Sequence, residues 1–297
     1  MSAGRALRTL LRAGRVIQVP SIYDGLTARL AAAAGFEAVS VTGNGVSASF
    51  LGQPDIGLVT LTESAAVARN VAAAVDVPVI YDADTGYGSA LNVIRTVREM
   101  EGAGVAGIKL EDQVTPKRCG VLPVPIPVVS EEEYLGKIEA AVWAKRDPDF
   151  VIIARTDAKS TLGLEAAAQR ARRAIELGAD VGLVIGAREP EELKQVTEIV
   201  RAPLAVLVEE RGPAADLSPA QLQELGFTLA IYPGAVRYTV VGAARRVLEA
   251  LRRDGTAAAF RSGMVTPEEF NELMGLPEQF ELERRFVRGS GVAEPVR

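Results

Sequence analysis

The chain contains one cysteine, Cys119, which lies between two cations and a glycine in the stretch PKRCGVLPVPIP. Positive charges beside a thiol favour the thiolate and make proton exchange near neutral pH feasible. A solitary cysteine is otherwise usually a small buried hydrophobic residue, but the neighbours of Cys119 are not apolar. The chain has no histidine, which leaves few side chains for acid–base work. We therefore interpret Cys119 as a catalytic candidate.

Acidic side chains follow several short apolar runs of the sequence. They are Asp82 and Asp84 in YDADTGYG, Glu111 and Asp112 in KLEDQ, Asp157 beside Arg155 in ARTDA, and Asp55 in LGQPDIG. Single acids at such positions often cap the following helix, but several gathered at one place would repel one another without a cation. Without histidine and with one cysteine, a transition-metal site is disfavoured, whereas carboxylate oxygens suit Mg²⁺ or Mn²⁺. The pattern predicts a magnesium site in which Mn²⁺ could substitute.

The elements that must position these side chains repeat along the chain. Eight short apolar runs alternate with alanine-rich helical stretches: residues 16–19, 38–41, 77–81, 105–110, 150–154, 181–185, 204–208 and 228–231. Four helical stretches end at a glycine followed at once by a strand, in AAAAGFEAVSV, MEGAGVAGIKL, IELGADVGLVI and QELGFTLAIY. Nearly continuous apolar strands are typical of a parallel sheet covered on both faces. Eight such units predict an α/β fold, a (β/α)8 barrel of the TIM type, whose chemistry lies at the carboxyl ends of the strands.

A doubly wound sheet is the alternative fold, and it would need a nucleotide-binding fingerprint that the sequence lacks. We expect residues 1–254 to form the barrel and residues 255–297 a C-terminal helical extension of the same domain, in which TPEEFNELM carries a threonine cap. The arginine-rich start, MSAGRALRTLLRAGR, has some features of a transit peptide, but we interpret it as a first amphipathic helix.

Composition restricts the class of function. A formal net charge of −5 disfavours nucleic-acid binding, which needs a clustered basic surface. Charged residues or prolines interrupt every apolar run before the ~18 residues that a membrane span requires. One cysteine forbids an internal disulfide, which fits a reducing cytosol. We therefore expect a cytoplasmic protein that acts on a small molecule.

An ordered series of motifs resembles the isocitrate lyase/phosphoenolpyruvate mutase superfamily, and within it the group of 2-methylisocitrate lyases and carboxyphosphonoenolpyruvate phosphonomutases. The series runs from PSIYDGLTARLAAAAGFEAVSVTGNGVSAS through LGQPDIG, YDADTGYG, EDQVTPKRCG and VIIARTDA to LAIYP, and ELERRFVR near the C-terminus is also similar. The resemblance implies a barrel with a C-terminal helix exchanged between subunits, a homotetramer built from dimers, and Mg²⁺-dependent chemistry on 2-oxo or 2-hydroxy carboxylates.

The resemblance also implies roles for individual residues. Asp82 would hold Mg²⁺ directly, and Asp55, Asp84 and Glu111 would hold its waters. The proposed substrate contacts are Thr42, Gly43, Asn44, Asp82, Gly120 and Arg155, of which the first three bind the carboxylate of the pyruvate-like half. The catalytic set is Cys119, Arg155, Glu111 and Lys117, because the lyases carry a similar Lys-Lys/Arg-Cys-Gly loop whose cysteine exchanges a proton with the leaving carbanion.

Three positions depart from the pattern of the lyases. Val121 replaces a histidine, Gly186 a glutamate at the end of the sixth strand, and Leu207 an asparagine of the seventh strand. All three replaced groups serve the leaving half of the substrate, whereas the metal-binding half is intact. Because a carboxylate placed against valine and leucine would be desolvated without partners, we expect tricarboxylates such as 2-methylisocitrate to be poor substrates, and a smaller or more hydrophobic leaving group.

We therefore predict a Mg²⁺-dependent lyase that cleaves a carbon–carbon bond of a 2-hydroxy or 2-oxo carboxylate through an enolate and releases pyruvate or a related 2-oxo acid. One alternative is oxaloacetate decarboxylation or carbon–phosphorus chemistry like that of the phosphonomutases. Another is a catalytically inactive protein that binds a 2-oxo acid.

Overall fold

The computed structural model describes residues 1–120 and 124–288, and eight parallel strands close into a barrel within them. The strands are β1 (Ile17–Ile22), β2 (Val39–Val41), β3 (Val79–Asp82), β4 (Gly107–Glu111), β5 (Val151–Thr156), β6 (Val181–Val184), β7 (Leu204–Leu207) and β8 (Leu229–Tyr232). Each strand pairs with the next, and β8 pairs with β1, so that Ile17 lies opposite Leu229. The predicted (β/α)8 barrel is confirmed.

The strands are buried on both faces, which explains their continuous apolar sequences. In β5, Val151 and Ile153 belong to the hydrophobic cluster inside the barrel, together with residues of β1 and β8. Ile152 and Ala154 belong to the cluster on the outer face, where helical residues such as Ile138 pack. The alternation follows from the pleat, which directs successive side chains to opposite faces of a strand.

Thirteen α-helices are formed by the described residues. They are α1 (Ala3–Leu11), α2 (Gly25–Ala33), α3 (Gly43–Val46), α4 (Leu61–Ala74), α5 (Ala90–Gly102), α6 (Glu131–Ala144), α7 (Lys159–Leu162), α8 (Leu164–Glu176), α9 (Pro190–Val200), α10 (Pro219–Glu224), α11 (Ala235–Asp254), α12 (Pro267–Leu273) and α13 (Leu276–Phe286). None of them is both long and apolar enough to cross a membrane. The glycines of the four predicted helix ends, Gly35, Gly104, Gly178 and Gly226, have φ of 86°, 89°, 103° and 97°, the left-handed region that closes a helix at little steric cost.

Helix α1 is built from the arginine-rich start of the chain, and it is attached to the barrel. A side chain at Gly4 would collide with the carbonyl of Asp149, because its Cβ would lie 2.6 Å from that oxygen. The guanidinium of Arg8 donates to the Asp149 carbonyl at 3.0 Å and to the Asp180 carboxylate at 2.7 Å. The interpretation of this stretch as a first helix therefore agrees with the structure.

Two compact units divide the chain, Met1–Tyr238 and Thr239–Arg297. The first contains the whole barrel and the start of α11. The described part of the second contains the rest of α11, a 3-10 turn at Ala258–Gly263, α12 and α13. Thr266 caps α12 and exchanges hydrogen bonds with Glu269, as the TPEEFNELM motif predicts. The division falls inside α11, and the boundary expected at Asp254, where α11 ends, stays a prediction.

Candidate active site

A cavity of about 530 Å³ opens at the carboxyl ends of the strands, within the first unit. Its lining includes seven of the residues selected from the sequence as site residues: Thr42, Asn44, Asp55, Asp82, Cys119, Gly120 and Arg155. The volume lies in the range of small-molecule sites, which is ~300–1,000 Å³. The barrel thus brings together side chains that are far apart in the sequence.

Three carboxylates form the acidic centre of this site. Asp82 is the last residue of β3 and Glu111 the last residue of β4, so both carboxylates lie at the same end of neighbouring strands. Asp84 has φ of 48°, a conformation that aspartate tolerates better than most residues. One oxygen atom of each of the three residues lies within 4.8 Å of the others. All three are buried, and this is a spacing that a single cation can bridge.

Three cations surround the carboxylates. Lys117 Nζ lies 2.5 Å from Asp55 Oδ1 and 2.8 Å from Asp84 Oδ1. Lys109 Nζ lies 3.5 Å from Asp82 Oδ2. Arg155 Nη1 lies 2.9 Å from Glu111 Oε2.

The positive charge in the cluster does not balance the acids. The carboxylates are Asp55, Asp82, Asp84, Glu111 and Asp157, and the cations are Lys109, Lys117 and Arg155, so five negative groups meet three positive ones. The excess of two charges equals the charge of one divalent cation. Within the described residues, no hydrogen bond reaches Asp82 Oδ1 or Glu111 Oε1, although both atoms are buried. The donor set is therefore all oxygen and incomplete, which fits Mg²⁺ or Mn²⁺.

The pKa values of Asp82, Asp84 and Glu111 reflect their burial and the charges of their neighbours. Burial, together with the negative charges of Asp82 and Asp55, raises the pKa of Asp84 to about 6 against the attraction of Lys117. Burial also raises the pKa of Glu111 well above its ordinary value, although Arg155 opposes the shift. For Asp82, burial acts in the same direction, but Lys109, Arg155, Lys117 and the Gly43 N–H outweigh it and lower the pKa to about 2. Asp82 is thus the carboxylate best prepared to stay charged.

Arg155 is held in one orientation by Asp157. Its Nε and Nη2 donate to the two oxygens of Asp157 at 2.8 and 2.9 Å, which is the bidentate pairing that fixes a guanidinium plane. Gly120 packs directly on this pair, because a Cβ there would lie 2.8 Å from Asp157 Oδ1 and 3.0 Å from Arg155 Nη2. Only a glycine lets the loop after β4 approach Arg155 this closely.

The loop after β4 also places the thiol in the cavity. Asn44 Nδ2 donates to Cys119 Sγ at 3.2 Å, so the thiol lies beside the start of α3. Gly43 allows close packing there, since a Cβ would lie 3.1 Å from Asp84 Oδ1. The cations that flank Cys119 in sequence are directed elsewhere: the ammonium of Lys117 contacts Asp55 and Asp84, and Arg118 is exposed.

Part of the cavity lining is apolar, although Glu209, Glu210 and Arg211 of the loop after β7 also line the cavity. This apolar wall is formed at the ends of β6, β7 and β8 by Leu183, Ile185, Leu207 and Ile231. Leu207, one of the three departures noted above, thus faces the site. Gly186 is absent from the lining, and its carbonyl accepts a hydrogen bond from Lys159 Nζ at 2.6 Å. Val121, the third departure, lies outside the described residues.

Several polar residues of the cavity were not selected from the sequence. Lys109 lies inside the apolar run of β4, and a charged residue in such a run was the signal that could have revealed it. Arg237, near the start of α11, lines the rim, and its buried Nη1 finds no hydrogen-bond partner among the residues that the structure describes. Its guanidinium stacks on the ring of Tyr238 at 4.7 Å. Nothing in the sequence near Arg237 indicated this position.

Comparison with known proteins agrees with this geometry. Residues 7–252 match the family described as phosphoenolpyruvate phosphomutase. The chain belongs to this family. The prediction of an enzyme of the isocitrate lyase/phosphoenolpyruvate mutase superfamily, a carbon–carbon lyase, is confirmed.

Individual relatives of the family are similar over nearly their whole length. The 2,3-dimethylmalate lyase of Eubacterium barkeri is 44% identical over 97% of this chain and 100% of its own. A structure of oxaloacetate acetylhydrolase in complex with 3,3-difluorooxalacetate has a TM-score of 0.90 at 38% identity, over 96% of this chain and 97% of the other. A phosphonopyruvate hydrolase in complex with oxalate and Mg²⁺ has a TM-score of 0.87 at 32% identity, over 97% of this chain and 100% of the other.

Proposed function

We propose that this protein is a Mg²⁺-dependent lyase that cleaves the C2–C3 bond of a 2-methylmalate bearing a small alkyl group at C3. The substrate that fits best is 2,3-dimethylmalate, and its products are pyruvate and propionate. The observation that carries the proposal is the division of one cavity into a charged end and an apolar wall that contains Leu207. The similarity to the dimethylmalate lyase of E. barkeri supports the same substrate class.

The charged end fits the metal and the pyruvate-forming half. Asp82, with Asp55, Asp84 and Glu111, would hold Mg²⁺ or its waters, and Mn²⁺ suits the same oxygen set. When bound, Mg²⁺ polarises the substrate oxygens that it contacts and stabilises the negative charge that develops on them. Thr42, Gly43 and Asn44 border the same end and would bind the C1 carboxylate through hydroxyl, backbone N–H and amide groups. Arg155, fixed by Asp157, adds a planar donor pair.

The reaction needs one proton acceptor and one proton donor. We assign Glu111 as the acceptor of the C2 hydroxyl proton, because its carboxylate ends β4 at the charged end of the site, within 4.8 Å of the carboxylates of Asp82 and Asp84. As C2 becomes the carbonyl carbon of pyruvate, the C2–C3 bond breaks and its electron pair passes to C3, where the adjacent carboxylate delocalises it as an enolate. Cys119 then gives its thiol proton to C3, which completes propionate. One proton is taken and one is given, so the reaction is balanced without a co-reactant.

The apolar wall determines the leaving half. A methyl group on C3 would be removed from water against Leu207 and Ile231, at a gain of ~0.8 kcal/mol per buried CH₂. An extra carboxylate, as in 2-methylisocitrate, would lose its water against Leu207 and Ile231, which costs several kcal/mol on most transfer scales unless it reaches Arg211 or Arg237. The C4 carboxylate of a malate would instead reach the rim, where Arg237 has a buried nitrogen without a hydrogen-bond partner among the described residues. The wall therefore favours an alkyl malate.

The experiment that tests the proposal is product detection by proton NMR. The protein is incubated with Mg²⁺ and each of 2,3-dimethylmalate, 2-methylmalate, 2-methylisocitrate, oxaloacetate and phosphonopyruvate, and each reaction is repeated with Asp82→Ala. We expect equal amounts of pyruvate and propionate from 2,3-dimethylmalate, and no turnover in the variant. Products from oxaloacetate or phosphonopyruvate alone would support the decarboxylase or carbon–phosphorus alternative. Mg²⁺-dependent oxalate binding without turnover of any substrate would support the binding-protein alternative.

We also propose that the enzyme is a cytoplasmic homotetramer in which C-terminal helices are exchanged. The described part of the second unit exposes large apolar side chains: Leu248 at 63%, Val265 at 67% and Phe286 at 66%. Such a density of exposed apolar side chains is typical of segments that pack against another subunit. Light scattering coupled to size-exclusion chromatography should give about four times the chain mass, 31.4 kDa. A monomeric mass would contradict the exchange.

A further inference from the structure

A buried polar network lies behind the site and is not part of the cavity lining. At its centre is Asp112, whose carboxylate accepts three hydrogen bonds. Thr156 Oγ1 donates to Oδ2 at 2.6 Å, the Asp157 N–H donates to Oδ1 at 2.8 Å, and Arg170 Nη1 donates to Oδ2 at 3.1 Å. Asp112 and Thr156 are completely buried, and Arg170 is 6% exposed. A charged pair buried this deeply needs a full set of partners, and this one has them.

Arg170 reaches the site from outside the barrel, since it lies on α8. Its second terminal nitrogen, Nη2, donates to the carbonyl of Val129 at 3.0 Å. Val129 is the residue at which the loop after β4 returns to the barrel, and its N–H donates to the carbonyl of Asp112 at 2.9 Å. One guanidinium therefore joins the end of β4 to the end of the loop that carries Cys119.

The same loop is closed by a short ladder at its base. Gln113 and Val128 form an antiparallel bridge, and the Val114 N–H donates to the Pro127 carbonyl at 2.9 Å. The side chain of Gln113 accepts a hydrogen bond from the Arg118 N–H at 2.7 Å, next to Cys119. Any displacement of Val129 would be transmitted through this ladder to the thiol.

The other arm of the network leads to Arg155. By fixing the Thr156 hydroxyl and the Asp157 N–H, Asp112 holds the backbone from which the Asp157 carboxylate projects. That carboxylate fixes the plane of Arg155 at 2.8 and 2.9 Å. Asp112 thus lies between the group that orients the substrate carboxylate and the loop that carries the proton donor.

We propose that Arg170, acting through Asp112, is a positioning residue that couples the Cys119 loop to the orientation of Arg155. Lysine at position 170 would keep the charge but has one nitrogen, which cannot serve both Asp112 and the Val129 carbonyl in the arginine geometry. The roles of Cys119 and Arg155 rest on the proposed function. The coupling itself does not, because it can be measured without a substrate.

The test uses two readouts on the full-length protein. The first is limited digestion with trypsin, followed by mass spectrometry at the Arg118–Cys119 bond, where Arg118 is exposed in the loop. The second is the calorimetric dissociation constant of oxalate in the presence of Mg²⁺, because oxalate is bound with Mg²⁺ in a similar hydrolase. Arg170→Lys should be cleaved severalfold faster at this bond and should bind oxalate about tenfold more weakly, as is usual when an outer partner of a site is lost.

Two further variants separate the arms of the network and control for stability. Thr156→Val removes the hydroxyl that donates to Asp112 and accepts from the Ala158 N–H but leaves the contacts of Arg170 in place, so it should weaken oxalate binding while cleavage after Arg118 stays at the wild-type rate. Arg172→Lys lies on the same helix and changes a half-exposed pair with Glu176, so neither readout should change.

Wild-type behaviour of Arg170→Lys in both readouts would overturn the coupling. So would equal changes in Arg172→Lys, or cleavage accelerated equally at all sites, which would indicate general destabilisation. If Arg170→Lys fails to fold, Thr156→Val still tests whether Asp112 supports the orientation of Arg155. Unchanged oxalate binding in Thr156→Val would refute the proposal. Absence of turnover with every malate would contradict the proposed function but leave both readouts intact.

Discussion

Replacement of Leu207 by alanine should change which substrate the enzyme prefers. Leu207 ends β7, is partly buried and lines the apolar wall of the cavity. If its side chain covers the C3 methyl group of 2,3-dimethylmalate, the contact is worth at least ~0.8 kcal/mol, or about fourfold in kcat/KM. A tight enzyme pocket can extract ~1–3 kcal/mol from one methylene. The wild-type enzyme should therefore prefer 2,3-dimethylmalate to 2-methylmalate, which lacks that methyl group, by about tenfold.

In Leu207→Ala, the preference should fall to about threefold or less, because the alanine methyl no longer reaches the substrate. The loss should appear in kcat/KM for 2,3-dimethylmalate, whereas the value for 2-methylmalate should stay nearly constant. Pyruvate formation from both substrates can be followed by the same NMR assay under identical Mg²⁺ concentrations. The ratio of the two values cancels any difference in the fraction of folded enzyme.

Val206→Ala is the matched control, since Val206 precedes Leu207 but packs in a different hydrophobic cluster, with residues of α9 such as Leu193. It should lower stability without altering the ratio of kcat/KM values. An unchanged ratio in Leu207→Ala, or an equal change in Val206→Ala, would refute the assignment of the leaving half to this wall. Faster cleavage of 2-methylisocitrate by wild-type enzyme than of either malate would refute it directly.

Three other substitutions test the charged end. Cys119→Ser should lower lyase turnover by about 10²-fold or more and keep Mg²⁺-dependent oxalate binding, whereas wild-type turnover would exclude the thiol as proton donor. If oxaloacetate is decarboxylated, that reaction should survive the change when solvent can protonate the enolate. Asp157→Asn should lower kcat/KM about tenfold by loosening Arg155; wild-type kinetics would show that one accepting oxygen suffices. Lys109→Met removes a cation 3.5 Å from Asp82 and should tighten Mg²⁺ binding in calorimetry; weaker binding would show that Lys109 organises the carboxylates instead of opposing the metal.

The fold was predictable because its signals are local. Each strand is a short apolar run, and the four glycines that close helices have the positive φ that their positions require. The acids of the site could be found for the same reason, since Asp82 and Glu111 terminate such runs. The division after Tyr238 has no local signal of this kind, because α11 continues across it without a break.

Contacts between distant segments were less predictable. The sequence places Lys117 two residues from Cys119 and suggests that it acts on the thiol, but the fold directs its ammonium to Asp55 and Asp84. The attraction of two buried carboxylates outweighs the proximity in sequence. Nothing in the sequence around Arg170 indicates its contacts, because its partners Asp112 and Val129 belong to the loop after β4. Only the packing of α8 against the barrel brings them together.

The two ends of the site are built from different strands, which explains how a barrel of this kind can accommodate different leaving groups. The charged end is built from β2 to β5 and the loops that follow them, and the apolar wall from β6 to β8. In the proposed reaction, the bond to be cleaved joins the two substrate halves that these two arcs would bind. Substitution of a residue such as Leu207 can therefore alter the leaving half without moving a carboxylate or Arg155. Of the departures from the lyase pattern, Leu207 lines the cavity in the second arc, whereas Gly186 follows β6 in the same arc but lies outside the lining.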